Sequence, residues 1–262
     1  MSEGAGQAGP GSLPVFGVFA VALALAARNS ARLLIWSVPV GLTGLSAVGA
    51  AALLGGTPQA FLATMACAAL GLGVLFCAFS VRVHRMLLLP FEPVLSFSGQ
   101  FSSPFTWRYF RGALAVALLA AVPAGLGAAV ALAGASAGLG PPLDFLLAAL
   151  LPCLAAQAFM APLQLIHLTG LSLRAGGSWR ASMAIARGNV HRLCAVNLLC
   201  AGFFILVTLF AGWLVGMAFK DGPQGLLELF TLAVGFPAQM VLFTCLQAVC
   251  YGRLAPAAHP DA

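Results

Sequence analysis

The chain has 262 residues, of which 61% are hydrophobic and only 7% charged, with a net charge of +6 and a mean hydropathy of +1.03. An ordinary soluble domain carries about 25% charged residues, so the twelve basic and six acidic side chains here cannot cover the surface of a soluble protein this long. The composition excludes a soluble enzyme, a nucleic-acid binder and a disordered chain, and predicts an all-α polytopic membrane helix bundle.

A span needs about 20 apolar residues to cross a hydrocarbon core of about 30 Å. Residues 1–12 hold no Lys or Arg and read as a Gly-rich disordered lead without the basic start of a signal peptide. Residues 13–27 form an apolar run too short for a comfortable span. We expect a helix lying at the inner interface or leading into the first span; a seventh span is the alternative. Six longer runs follow in a single domain over 13–254, at 33–55, 61–81, 112–132, 143–167, 193–219 and 226–249. A short tail, 255–262, closes the chain.

The connections carry the charge. If the N-terminus is cytoplasmic, the inner loops hold Arg28, Arg32, Arg82, Arg85, Arg108, Arg111, Arg174, Arg180, Arg187, Arg192 and Arg253, and only Lys220 falls outside. That bias is what the positive-inside rule requires, with both termini cytoplasmic. No loop exceeds about 30 residues, too few for a hidden soluble domain.

The most informative connection is SWRASMAIARGNVHR at 178–192. Ser178 is a suitable N-cap. On one helix Trp179, Met183, Ala186 and Val190 form a stripe, beside a basic stripe of Arg180, Arg187 and His191. This is the pattern of an interfacial helix with Trp and Met inward and Arg toward lipid phosphates. Trp179, Arg180, Arg187 and His191 are therefore the candidate surface for an anionic headgroup or a cytoplasmic partner. Between 86 and 106, prolines prevent one continuous helix, and Phe97, Phe101 and Phe105 would share one side of a short one. Glu92 is expected to pair with Arg82 or Arg85.

Polar side chains inside spans are costly, so each needs a role. Gln157, Gln164 and His167 share a face of the fourth run. Thr244, Gln247 and Tyr251 share a face of the sixth, with Gln239 at its edge. The two stripes should meet each other or line a polar path. Small pairs such as Ala69/Gly73 and Ala121/Gly125 permit close helix approach. Pro39, Pro123, Pro152, Pro162 and Pro237 would kink spans.

Catalytic patterns are nearly absent. GASAG at 134–138 matches G-x-S-x-G without the strand-to-helix context that gives it meaning. His84, His167 and His191 are not at metal-ligand spacing, and the seven cysteines form no C-x-x-C pair, so they read as packing residues. Neither cofactor nor metal is expected, and the chain reads as no enzyme. There is also a weak internal repeat. LAARNSARLL (25–34) matches IARGNVHRLC (185–194) at Asn29/Asn189, Arg32/Arg192 and Leu33/Leu193, and VLF recurs at 74–76 and 241–243.

With VRVHRMLL (81–88) after the second run and SWRASMAIARGNVHRL (178–193) before the fifth, the chain resembles a diffuse bacterial group of six-helix membrane proteins. It is similar to the membrane domain attached to some glycerophosphodiester phosphodiesterases. The phosphodiesterase barrel is absent, so no catalytic residue carries over. The resemblance implies an inner-membrane accessory, scaffold or lipid-associated protein whose partners are membrane lipids. A small transporter with its path between the fourth and sixth spans is the alternative.

Overall fold

A computed structural model describes residues 12–54, 57–89, 91–94, 96–136, 156, 160–173, 178–218 and 235–255. Gln157, Asp144, Glu228, Arg174 and Lys220 lie outside them, as do most of the run at 143–167 and the first part, 226–234, of the run at 226–249. The described residues are helical, with no strand. In chain order they form α1 (Val15–Arg28), α2 (Ser30–Leu54), α3 (Pro58–Leu88), α4 (Phe97–Phe101), α5 (Pro104–Ser136), a π-helical turn at Leu163–His167 running into α6 (Leu168–Ser172), α7 (Trp179–Ala186), α8 (Val190–Ala218) and α9 (Phe236–Leu254).

Three segments are long and apolar enough to cross a membrane: Ala66–Leu88, Pro104–Val122 and Val190–Val207. The bent pair Val15–Arg28 and Ser30–Ser46 makes up to four. The bend at Asn29 is 85°, so α1 runs nearly across the direction of α2. Asn29 stops α1 by hydrogen bonding back to Leu25 through both its backbone and its side-chain amide.

Several helices outrun the expected spans. The run expected at 61–81 continues to Leu88, so Arg82, His84 and Arg85 stand on α3 itself rather than in a loop after it. Nothing in VRVHRMLL breaks a helix, and the first breaker is Pro90. Thr57 starts α3 by accepting the Ala60 amide, with Pro58 in the first position. The run at 112–132 is likewise part of a helix from Pro104 to Ser136 that takes in the turn expected from Gly134. The phenylalanine expectation is corrected too. Helix α4 stops at Phe101 and Phe105 belongs to α5, because Pro104 begins a new helix; the Trp107 indole closes the corner by donating to the Phe101 carbonyl at 2.9 Å.

Helix α9 is the centre of the bundle. From Met240 to Tyr251 all of its residues but Phe243 are buried, and it packs against α1, α2, α3 and the π turn. A helix buried all round must be apolar or pair its polar groups internally.

The arginines collect at one end. The beginning of α2 meets the end of α3 where Arg82 lies 3.6 Å above the Trp36 ring. The end of α3 meets the beginning of α5 where Arg85 lies 4.6 Å from the Phe105 ring. Arg192 at the start of α8 reaches the Leu13 carbonyl before α1. Glu92 pairs with Arg85, one of its two expected partners.

The repeat is local. Asn29 and Asn189 each end a short helix by donating three or four residues back, and each carbonyl accepts from a fully buried leucine, Leu33 or Leu193. Beyond that the copies differ. Helix α1 packs on α9, whereas α7 packs on the π turn.

Candidate functional site

A seam of polar side chains runs between α3, α5, α8, α9 and the π turn. Gln247, fully buried on α9, donates to the Gln164 carbonyl at 2.7 Å and accepts from the Tyr109 hydroxyl at 3.2 Å. Gln164 in turn accepts from the Asn197 amide at 2.9 Å. One turn before Gln247, Thr244 and Ser80 of α3 place their hydroxyls 3.3 Å apart, and Thr244 also donates back to the Met240 carbonyl. Farther toward the basic end, His84 Nδ1 lies 3.0 Å from the Ser172 hydroxyl.

The two predicted stripes therefore do meet, at Gln164 and Gln247. Thr244 has a different neighbour from the one expected: it faces α3. His167 parts company with Gln164. Its Nδ1 lies 3.1 Å from the Ser182 hydroxyl, and its ring packs edge-on against Trp179, so it serves α7. The cause is the π turn, in which the Leu168 amide reaches back five residues to the Leu163 carbonyl. Each residue there turns through a smaller angle than in an α-helix, so a face drawn at 3.6 residues per turn drifts. Asn197, Tyr109, Ser80 and Ser172 were missed. The available signal was the same for each, a polar side chain inside or beside an apolar run, but its partner comes from another helix.

Helix α7 corrects a second expectation. The stretch 178–192 is not one helix. Ser178 caps α7 by accepting the Ala181 amide, but α7 ends at Ala186 and α8 begins at Val190. Gly188 between them has φ of +80°, a left-handed conformation that suits glycine. Arg180 and Arg187 are exposed, as is His191 at the start of α8, but they do not share one helix face. Inward, Met183 is partly buried against an apolar cluster that includes Tyr109, Leu163 and Leu168, and Ser182 and Ala186 are buried. Asn189 ties this corner to the chain before α1, its side-chain oxygen accepting the Leu13 amide at 3.0 Å.

Alongside the seam lies a laterally open groove of about 370 Å³ between α8 and α9. Gln164, Asn197 and Gln239 supply its polar groups, and Phe76, Phe243 and Met240 are among its apolar walls. Gln239 also borders an adjoining hollow with Phe204, Ile205 and Leu209. Among the described residues a side chain added at Gly125, of the small pair Ala121/Gly125, would meet nothing within 4 Å, whereas Gly73 lies beside Phe110. Among the described residues no three His, Cys, Asp or Glu side chains could hold a metal ion.

Comparison with family models, curated proteins and solved structures returns no match for this chain.

Proposed function

We propose that this chain is a multi-pass inner-membrane protein without enzymatic activity, acting as an accessory, scaffold or lipid-associated component. In this reading it has six spans, both termini are cytoplasmic, and α1 and α7 lie at the cytoplasmic interface. The observation that carries it is the seam. Gln247 and Thr244 have no exposed surface and are hydrogen-bonded to neighbouring side chains and backbone. Polar groups used this way join helices and leave no wetted passage. The gathering of arginines at one end supports the orientation, and the 85° bend supports an interfacial α1. It is also the role implied by the resemblance of 81–88 and 178–193 to membrane domains of glycerophosphodiester phosphodiesterases.

A single thiol tests the seam. In the chain reconstituted in vesicles, Gln247→Cys should be as unreactive toward a small water-soluble maleimide as the unaltered protein. Rapid labelling would show water at that depth and favour the alternative, a small transporter whose path borders Gln164, Asn197 and Gln239. The lateral groove is the observation on that side.

The lipid-associated part rests on Arg180, Arg187 and Trp179, all exposed on or beside one short helix. Each exposed arginine near an anionic surface contributes about 1 kcal/mol. The double change Arg180→Glu, Arg187→Glu in the full chain should therefore deplete anionic lipid from the first shell around the purified protein by more than tenfold relative to neutral lipid. Unchanged lipid composition would remove the headgroup role.

A further inference from the structure

Gln239, one of the polar residues of the predicted path, takes no part in the seam. It is exposed on α9, and no hydrogen bond to it is found among the described residues. Its depth makes this consequential, on the reading given above that α8 and α9 span the membrane. Gln239 stands fourteen residues before Arg253, about 21 Å along the helix axis. On α8 it is level with Phe204 and Ile205, well past Arg192 and short of Trp213. This is the middle of a core about 30 Å thick. The side chain is too short to reach either interface from there, and an unpaired amide in hydrocarbon is costly.

The chemistry of the missing partner can be narrowed. The hydrogen-bonding groups of a phospholipid lie near the membrane boundary, and at this depth it offers only acyl chain. A carboxamide is both donor and acceptor. Two copies of it across a two-fold axis therefore satisfy each other, each N–H donating to the other's oxygen. The surroundings permit the approach. Ala201 and Ala238 are exposed, and a side chain added at Gly202 would meet nothing within 4 Å. Small residues at such a face let helix backbones come close. Ile205 and Leu209 beside the hollow are exposed and offer the ridge that a facing groove receives.

We propose that the α8–α9 face centred on Gln239 is where two copies of this chain associate within the bilayer, joined by reciprocal Gln239 amide hydrogen bonds.

The test is photobleaching step counting on a fluorescent fusion of the full chain, reconstituted in vesicles over a range of protein-to-lipid ratios. The unaltered chain should bleach in two steps. Gln239→Leu should weaken dimerisation by about tenfold, shifting the one-step to two-step transition to higher density. Gln239→Asn, which keeps donor and acceptor, should retain most of the association. Gln239→Cys should give an oxidant-dependent cross-linked dimer above the background of the native cysteines, which covers the case in which the leucine variant does not fold. One-step bleaching of the unaltered chain at every density, or dimerisation indifferent to Gln239→Leu, overturns the proposal. A lipid co-purifying in the groove of such a monomer would name the true occupant. Failure of the span reading itself shows differently: Gln239→Cys would react with a membrane-impermeant maleimide.

Discussion

Replacing Gln247 by leucine should destabilise the folded chain by about 2 kcal/mol, read from equilibrium unfolding in mixed detergent and SDS micelles. The leucine fits the space, so the loss is polar. The Tyr109 hydroxyl, fully buried, loses its acceptor, and the carbonyl of the half-buried Gln164 loses a donor. Each orphaned buried group costs about 1–3 kcal/mol in a soluble core. Interhelical bonds in membrane proteins average about 0.6 kcal/mol, because the unfolded helices find other partners in the bilayer. The estimate of about 2 kcal/mol lies between these limits. The decisive measurement is the pair. Tyr109→Phe removes the group that Gln247→Leu orphans, so the double variant should be less destabilised than the sum of the singles by about 1 kcal/mol. Strict additivity would mean that Tyr109 and Gln247 do not depend on each other, and the seam would lose its central link.

How much of this was legible beforehand depends on the kind of information each feature needs. The membrane class and the collection of arginines at one end follow from composition and order alone, because the cost of burying charge leaves few arrangements. The break after residue 28 was legible in Asn29 and the arginines around it. The pairing of Gln164 with Gln247 was legible as two polar faces that had to be satisfied. What escaped was the phase and the neighbours. His167 was assigned to the face of Gln164 on the assumption of a regular helix, and the π turn at Leu163–His167 turned it toward Ser182 instead. The single helix drawn through 178–192 failed at Gly188, whose left-handed conformation is allowed by its residue type but not required by it. Asn197 passed unnoticed because one polar residue in an apolar run does not name the helix it will face. Ala121/Gly125 is a motif by spacing that meets no neighbour at Gly125 among the described residues.

The largest single-residue effect on packing should come from Gly112→Leu, which we expect to cost about 3 kcal/mol. Helix α5 passes α6 so closely here that even a methyl group at Gly112 would lie 2.4 Å from Leu171 Cδ1 and 3.2 Å from Leu168 Cδ2. An alanine can be accommodated by rotating the Leu171 side chain, at about 1 kcal/mol. A leucine must move α6 itself, because Leu168 is buried and has nowhere to turn. That displacement reaches the candidate site. Helix α6 carries Ser172, which faces His84, and continues directly from the π turn that holds His167 against Ser182 of α7. Gly112→Leu should therefore loosen α7 as well as lower stability, seen as faster proteolysis at the turn around Gly188 in the reconstituted chain. Gly125→Leu is the control on the same helix: with open space around that position it should change neither stability nor cleavage by more than about 0.5 kcal/mol or its kinetic equivalent. If Gly112→Leu behaved like Gly125→Leu, the close passage of α5 over α6 would be wrong, and with it the route by which the bundle positions α7. If stability fell but the turn stayed protected, the turn around Gly188 would be held by the Asn189–Leu13 tie and not through the π turn.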